Sequence, residues 1–311
     1  MKRLLRWVLR GGVALLVLLT LVACALHVTH SESEKVGAPP EGDALRIATY
    51  NVHYIVLNDQ TGPWSVGDWD RRKDPMDQAF KAMRADIVAF QEMESFQRGS
   101  DGSVNLARDF LAARNPGYGV SATGDWREFP PTQPVFYRRD RLQPVDQGWF
   151  FFSDTPEVIY SRTFDGSYPA FASWVHFEDR DSGARFRVVN VHFEYSSRSN
   201  RIKSAQLVRD RMSAWIAAGE SVFLVGDINA LHGARTMDIL EEAGVQFDRT
   251  PGATYHLNRG LHLFGAIDHL ARTRDVALVA GPWVLQRRFG GEWPSDHHPV
   301  YADYLLPSDQ E

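Results

Sequence analysis

The chain has 311 residues, 44% hydrophobic, 12% aromatic and 23% charged, with 24 Gly, 16 Pro and a formal net charge of −5. Such a composition is too apolar for a disordered chain and too interrupted for a multi-span membrane protein. The single cysteine, Cys24, excludes an intramolecular disulfide and a cysteine-based zinc site.

In chain order, Lys2, Arg3, Arg6 and Arg10 precede an apolar run from Val13 to Leu26 that only Thr20 interrupts. A basic start followed by an apolar run is the order of an export signal. Residues 1–23 are therefore expected to be a signal peptide or, with residues 7–9 and 27–28 extending the run, an uncleaved membrane anchor. Leu21-Val22-Ala23-Cys24 resembles the lipobox of bacterial lipoproteins, which would make Cys24 the site of lipid attachment. Either way the protein is expected to be exported and held outside the cytoplasm at a membrane. Residues 24–44 then comprise the attachment site and a polar, Pro- and Gly-containing flexible linker. Removing residues 1–23 takes away four basic and no acidic residues, leaving 30 against 39, a net of −9. That balance argues against a general polyanion binder, though not against a local basic groove.

From residue 45 to 306 no linker or fixed-period repeat interrupts the pattern, so this stretch reads as one domain. Strand-like apolar runs occur at 45–52, 86–91, 134–138, 170–177, 185–193, 221–226, 263–270 and 299–305. Helical patterns occur at 73–85, 104–114, 199–218 and 234–243, the clearest being 199–218, where Ile202, Ala205, Val208, Met212, Trp215 and Ile216 share a face. Strands interspersed with helices, and adjacent strands joined by the turn-rich segment 178–183, imply an α/β layered fold with mixed sheets.

Polar residues recur where the apolar runs end: Asn51, Glu92, His192, Asp227, Asn229, Asp268, Asp296 and His297. Taken singly, an Asp after a strand is a turn residue or helix cap. Together such side chains can converge on one rim, where ligand sites of layered α/β folds form.

The segments Ile47-Ala-Thr-Tyr-Asn51-Val-His53, Phe90-Gln-Glu92, Asn190-Val-His192-Phe, Val225-Gly-Asp227-Ile-Asn229-Ala, Ala266-Ile-Asp268-His269 and Pro294-Ser-Asp296-His297-His298-Pro299-Val300 follow one another in this order. In that order they resemble the endonuclease/exonuclease/phosphatase superfamily. The resemblance implies a four-layer sandwich, two mixed β-sheets face to face with helices on the outer faces. It also implies a metal-dependent phosphoesterase, using Mg²⁺ or alternatively Mn²⁺, whose substrate is nucleic acid, a phospholipid or a small phosphate ester. On this resemblance Glu92 is the main metal ligand, with Asn51 and Asp296 near the metal. Asp227 activates the attacking water beside Asn229, His192 and His297 face the phosphate, and Asp268 pairs with His297. Hydrolysis of a phosphoester builds negative charge on oxygen, which a hard cation and histidine donors stabilise, so these residue types suit the chemistry.

Two departures from the pattern stand out. His53 replaces an acidic residue found in several nucleases of the family and is expected behind the metal ligands or on the substrate side rather than on the metal. Val191 replaces a frequent Thr, a matter of packing. Arg162 and Arg201 are candidate phosphate contacts, whereas Arg71 and Arg72 are expected on a solvated face. Trp64, Trp69 and Trp126 fall in segments that read as surface loops. His298 should point away from His297, because neighbours on an extended segment face opposite sides, and no zinc spacing accompanies His256, His262 or His269. A monomer is expected. The competing reading is a membrane-tethered binding module that keeps the fold without turnover.

Overall fold

The computed structural model describes residues 2–32, 36–97, 103–166 and 168–307. In chain order its elements are α1 (Lys2–His30), β1 (Leu45–Asn51), β2 (Ile55–Val56), α2 (Val66–Met83), β3 (Ile87–Gln91), β4 (Ser95–Phe96), α3 (Leu106–Arg114), β5 (Tyr118–Ser121), β6 (Val135–Arg138) and β7 (Leu142–Phe151). There follow β8 (Phe171–Asp179), β9 (Arg185–His192), α4 (Arg198–Ala217), β10 (Ser221–Asp227), α5 (Arg235–Glu241), β11 (Val245–Asp248), β12 (Asp268–Thr273), β13 (Ala277–Val284) and β14 (Val300–Leu305).

Two six-stranded mixed sheets, ordered β13-β14-β1-β3-β6-β5 and β11-β12-β10-β9-β8-β7, pack face to face. Each has a parallel pair at its centre, β1 with β3 and β9 with β10, flanked by antiparallel partners. Between the sheets, Leu45, Ile47 and Val300 meet Val188, Phe223 and Val225. The opposite face of β1 and β3, with Tyr50 and Phe90, is covered by Met76, Phe80 and Met83 of α2 and Leu111 of α3. On the other side Val189, Val191 and Leu224 are covered by Val208 and Met212 of α4 and Leu240 of α5. The result is the expected four-layer sandwich. Central strands buried on both faces explain why β1, β3 and β10 read as continuous apolar runs.

At one end of the sandwich a buried polar chain joins the sheets. Gln91 Nε2 donates to Thr49 Oγ1 at 3.0 Å and to Asn190 Oδ1 at 2.6 Å, and Asn190 Nδ2 donates to Phe90 O at 2.8 Å.

Three sequence expectations are corrected here. The second helix begins at Val66, not 73, because Ser65 caps it by accepting from Asp68 N at 3.0 Å. Trp69, expected in a surface loop, is therefore helical and buried, its ring edge-on to Phe110 at 5.6 Å. The run at 263–270 becomes a strand only from Asp268.

Within α1, Arg6–His30 is long and apolar enough to cross a membrane, with mean hydropathy 2.4, a test that signal sequences also pass. The segment after it, expected to be a flexible linker, is held against the domain. His30 O accepts from Ala253 N at 2.9 Å and from Gln286 Nε2 at 3.0 Å. Glu32 N donates to Gln286 Oε1 at 2.6 Å, and Gly37 N to Tyr301 Oη at 2.9 Å.

Candidate functional site

Strand ends assemble the site. The parallel pairs terminate at one rim: Asn51 lies opposite Gln91, which Glu92 follows, and Asp227 lies opposite His192. The antiparallel neighbour β12 starts at the same rim, placing Asp268 beside Asp227. Asp296 and His297 arrive just before β14, held by a bridge between His297 and Tyr255. Gly226 has to be glycine: its φ is 142°, and a Cβ there would lie 2.0 Å from Val191 O. Glu92, His53 and Asn229 are non-glycine residues at φ 53°, 60° and 48°, and strain of this kind gathers where structure is fixed for function.

At the centre, His297 Nδ1 lies 2.9 Å from Asp268 Oδ2, and its Nε2 lies 3.9 Å from Asp227 Oδ2. Asp227 Oδ1 accepts from Asn229 N at 2.9 Å, while Asn229 Nδ2 donates to Phe193 O at 2.8 Å. His192 Nε2 is 3.7 Å from both Glu92 Oε1 and Asp227 Oδ2. Asn51 Nδ2 donates to Glu92 Oε1 at 3.1 Å and to Asp227 Oδ2 at 3.2 Å, which closes the ring. Asp296 is one step outside it, 3.0 Å from His53 Nδ1.

Charge follows from these neighbours. Burial and the carboxylate of Asp268 push the Asp227 pKa up, against the pull of His297 and His192. Burial works against a charged His297, yet Asp268, Asp227 and Asp296 overcome it and hold its pKa well above the ordinary value. Burial also opposes charge on Asp296, but the hydrogen bond and charge of His53 keep it well below the ordinary carboxylate range.

The donor set suits a hard divalent cation. Among the described residues, Asp227, Asp268 and His297 bring ligand atoms within 4.8 Å of one another, and Asp268 Oδ1 is buried without a hydrogen-bond partner. Outside that group stand Glu92, linked to Asp227 through Asn51, and Asp296, bonded to His53, further carboxylates of the kind Mg²⁺ and Mn²⁺ prefer. Asn51 presents its amide nitrogen to the carboxylates, and its Oδ1 accepts from His53 N, so ligation by Asn51 would require the amide to turn over.

The other sequence candidates divide. His53 is buried against Trp64, with ring centroids 5.4 Å apart, and its bond to Asp296 makes it a partner of that carboxylate. Arg201 Nη1 is bound to Glu194 O and Tyr195 O, each at 2.8 Å, just beyond β9. Arg162 is exposed on the loop after β7 and lies outside this cluster. Trp64 is exposed, as a loop residue should be, and Trp126 is half-buried beside Tyr160. Arg71 is exposed, but Arg72 is not on a solvated face. Buried beside Asp68, it donates to Val52 O at 2.7 Å, His53 O at 2.6 Å and Pro294 O at 3.4 Å, tying together the two loops that carry Asn51 and Asp296. Its only sequence signal is the i,i+4 spacing to Asp68. His298 faces away from His297 as expected, stacked on His256 at 4.2 Å with its Nε2 3.1 Å from that of His262. His269 sits apart, bonded to Ala230 O.

Buried carboxylates around a charged histidine, gathered at the strand ends of an α/β sandwich, are the residue types that phosphoester hydrolysis needs, and the class this fold and site point to is a phosphoesterase. Residues 48–297 match the model of the Endonuclease/Exonuclease/phosphatase family, and the chain belongs to that family. A crystal structure of the endonuclease/exonuclease/phosphatase from Bacteroides vulgatus is 23% identical, covering 85% of this chain and 99% of that one, with a TM-score of 0.71. A mannosyl-6-phosphatase from Bacteroides thetaiotaomicron is likewise 23% identical, covering 84% of this chain and all 100% of that one, with a TM-score of 0.66. TDP2 of D. rerio in complex with a single-strand DNA product is 13% identical, covering 85% and 100%, with a TM-score of 0.60. These likenesses are of fold. Among curated proteins, the uncharacterized protein L388 of Acanthamoeba polyphaga mimivirus is 26% identical over 169 residues, 53% of this chain, and the match spans only 60% of that relative.

Proposed function

We propose that this phosphoesterase depends on a divalent cation, attacks its substrate in line with an activated water, and works outside the cytoplasm, anchored to a membrane by its N-terminus. The observation that carries the chemistry is the run Asp268, His297, Asp227, with His297 held 2.9 Å from Asp268 and facing Asp227 at 3.9 Å. Asp268 accepts from Nδ1 and fixes the ring, so the charged His297 offers Nε2–H to a phosphate oxygen where negative charge grows. Asp227, its basicity raised by burial and by Asp268, takes the proton of the attacking water, and Asn229 N holds its carboxylate in place. His192 stands on the other side of Asp227 as a further donor to the phosphate. Glu92, Asp296 and a turned Asn51 would hold Mg²⁺ or Mn²⁺, which when bound supplies charge neutralisation and orients the phosphate. Arg201 and His53 border the substrate; Arg162 would reach it only from the loop after β7.

In domain terms, residues 1–23 act as signal or anchor, 24–44 join it to the domain, and 45–306 form the catalytic unit, working as a monomer. Because neighbours of this fold include a mannosyl-6-phosphatase and a protein holding a DNA product, both monoesters and diesters belong in the test. The detergent-solubilised full chain, given Mg²⁺ or Mn²⁺, should hydrolyse at least one of p-nitrophenyl phosphate, bis(p-nitrophenyl) phosphate, DNA, RNA, sphingomyelin or inositol phosphates. Turnover that survives EDTA, or that Asp227→Asn leaves intact, would overturn the mechanism. Binding of a phosphoester with no turnover of any would establish the binding-module reading instead. Cys24→Ser should abolish lipid labelling if Cys24 carries the acyl group; unchanged membrane retention with no labelling in the parent chain assigns the anchor to α1.

A further inference from the structure

The end of α1 is fastened to the segment that also supports the catalytic histidine. Besides the bonds from His30 O, His27 Nδ1 accepts from His262 N at 3.2 Å, and Ser31 Oγ lies 2.8 Å from His262 Nδ1. On the other side of the same segment, His256 N donates to Asp296 O at 2.9 Å, His298 N to Thr254 O at 2.6 Å, and Thr254 Oγ1 accepts from Asp268 N at 3.1 Å. Only residues 254–262 therefore separate the anchor from the site. Cys24 precedes His27 by three residues, about 4.5 Å of helix. Whether the anchor is the apolar helix or an acyl chain on Cys24, it enters the bilayer within a turn of this contact.

The surface presented there is apolar. Leu257, Leu261 and Phe264 are 37%, 40% and 51% exposed, and Leu231, 49% exposed, lies 3.5 Å from where Gly265 would carry a Cβ. Arginines flank it although the chain without residues 1–23 carries a net of −9. Arg259 lies within the loop; Arg287 follows the Gln286 that binds His30; Arg288 stacks at 4.7 Å on Trp293, against which Gly260 packs. Leucine and phenylalanine rimmed by arginine suit the interface of an anionic bilayer.

We propose that residues 257–264, with Leu231, form a membrane-contact surface that sits on the bilayer holding the N-terminal anchor and turns the site toward it, so that the substrate is a phosphoester carried by a membrane lipid. The choice of substrate rests on the proposed phosphoesterase reading; the contact surface does not. A second copy of the chain or a partner protein on this patch would leave the anchor's placement beside it unused.

The test uses the full chain reconstituted into phosphatidylcholine/phosphatidylglycerol vesicles. In a Cys24→Ser background, an environment-sensitive fluorophore at Leu261→Cys should be quenched by shallow spin-labelled lipids at least fivefold more than one at Ser182→Cys, which lies in the exposed β8–β9 turn at the opposite end of β9 from His192. Equal quenching at the two positions would overturn the surface whatever the enzyme does. Leu257→Glu/Leu261→Glu/Phe264→Glu should lower the ratio of vesicle-borne to soluble phosphoester turnover tenfold or more. An unchanged ratio would overturn the substrate assignment. If the parent chain turns over neither substrate, the phosphoesterase reading has failed, and the quenching still decides the surface. Concentration-dependent dimers in detergent that the triple variant abolishes, with equal quenching, would assign the patch to a second copy.

Discussion

His297 and His298 are neighbours in sequence, and both are buried, yet they belong to opposite electrostatic regions. His297 faces Asp268 and Asp227 and is held charged; His298 faces His256 and His262, and burial followed by those rings drives its pKa well below the ordinary value. Burial alone opposes charge on both. What separates them is the identity of the side chains across the strand, carboxylates on one side and imidazoles on the other, which is how one segment builds both a reactive face and an inert one. The imidazole side meets the end of α1 through His262, and the carboxylate side holds the residues proposed to do the chemistry.

The sharpest way to break the charged face is to remove its cation: EDTA should abolish turnover, with Mg²⁺ or Mn²⁺ restoring it. Next, Asp227→Asn should cost roughly 10²–10⁴-fold in kcat with a smaller effect on KM, as expected of a lost base. Asp268→Asn should make His297 resemble its neighbour. Its loss in kcat should be near the low end of that range, about 10²-fold, and the alkaline limb of the pH–rate profile should move to lower pH. Arg72→Met leaves the buried Asp68 with only the exposed Arg71 as its ion-pair partner, at 2.8 Å, and releases the loops beneath Asn51 and Asp296. About 3–5 kcal/mol of stability should be lost, measured by urea unfolding.

The smallest effect tests the neutral face. Unfolded histidine titrates near about 6.5, whereas burial and the nearby His27 and His30 lower His262 to about 4. Between those values the unfolded chain binds more protons, so stability is intact above pH 6.5 and is lost as pH falls toward 4. His297 works in reverse: its contribution is complete below about 6.5 and is lost as pH rises through its folded value. His262→Gln should therefore flatten the fall in Tm between pH 6.5 and 4 and leave the alkaline side unchanged, read by thermal scans of the detergent-solubilised protein.

The central strands and the residues at their ends were legible because doubly buried strands leave continuous apolar runs and polar residues mark where they stop. The edge strands were not. β7 exposes Gln143, Asp146 and Gln147, and β13 contains Gly281-Pro282 with shifted register, so neither leaves a run or a clean alternation. The start of α2 was hidden by Gly67 and the aspartates around Trp69, which read as a loop until Ser65 is seen as a cap. Arg72 was illegible for a different reason: its partners are backbone carbonyls, which have no sequence identity. His53 shows how a departure from a family pattern acquires a role, since it holds the carboxylate of Asp296 rather than supplying one.

The Gln91–Asn190 bridge has a mechanical consequence. The proposed site residues are carried at strand ends of both sheets, Asn51, Glu92 and His297 by one and His192, Asp227 and Asp268 by the other. Two sheets that meet through apolar side chains alone can shear past each other at little cost, because dispersion has no direction. Hydrogen bonds do, and the Gln91 amide, bonded at 2.6 Å to Asn190, one residue before Glu92 on its own strand and two before His192 on the other, acts as a dowel. That pin, with Asn51 bonded to Asp227 at 3.2 Å and Tyr304 to Asp248 at 3.0 Å, gives the two sheets directional ties that the apolar interior lacks, so drift in the packing deeper in the sandwich need not misalign the two halves of the rim.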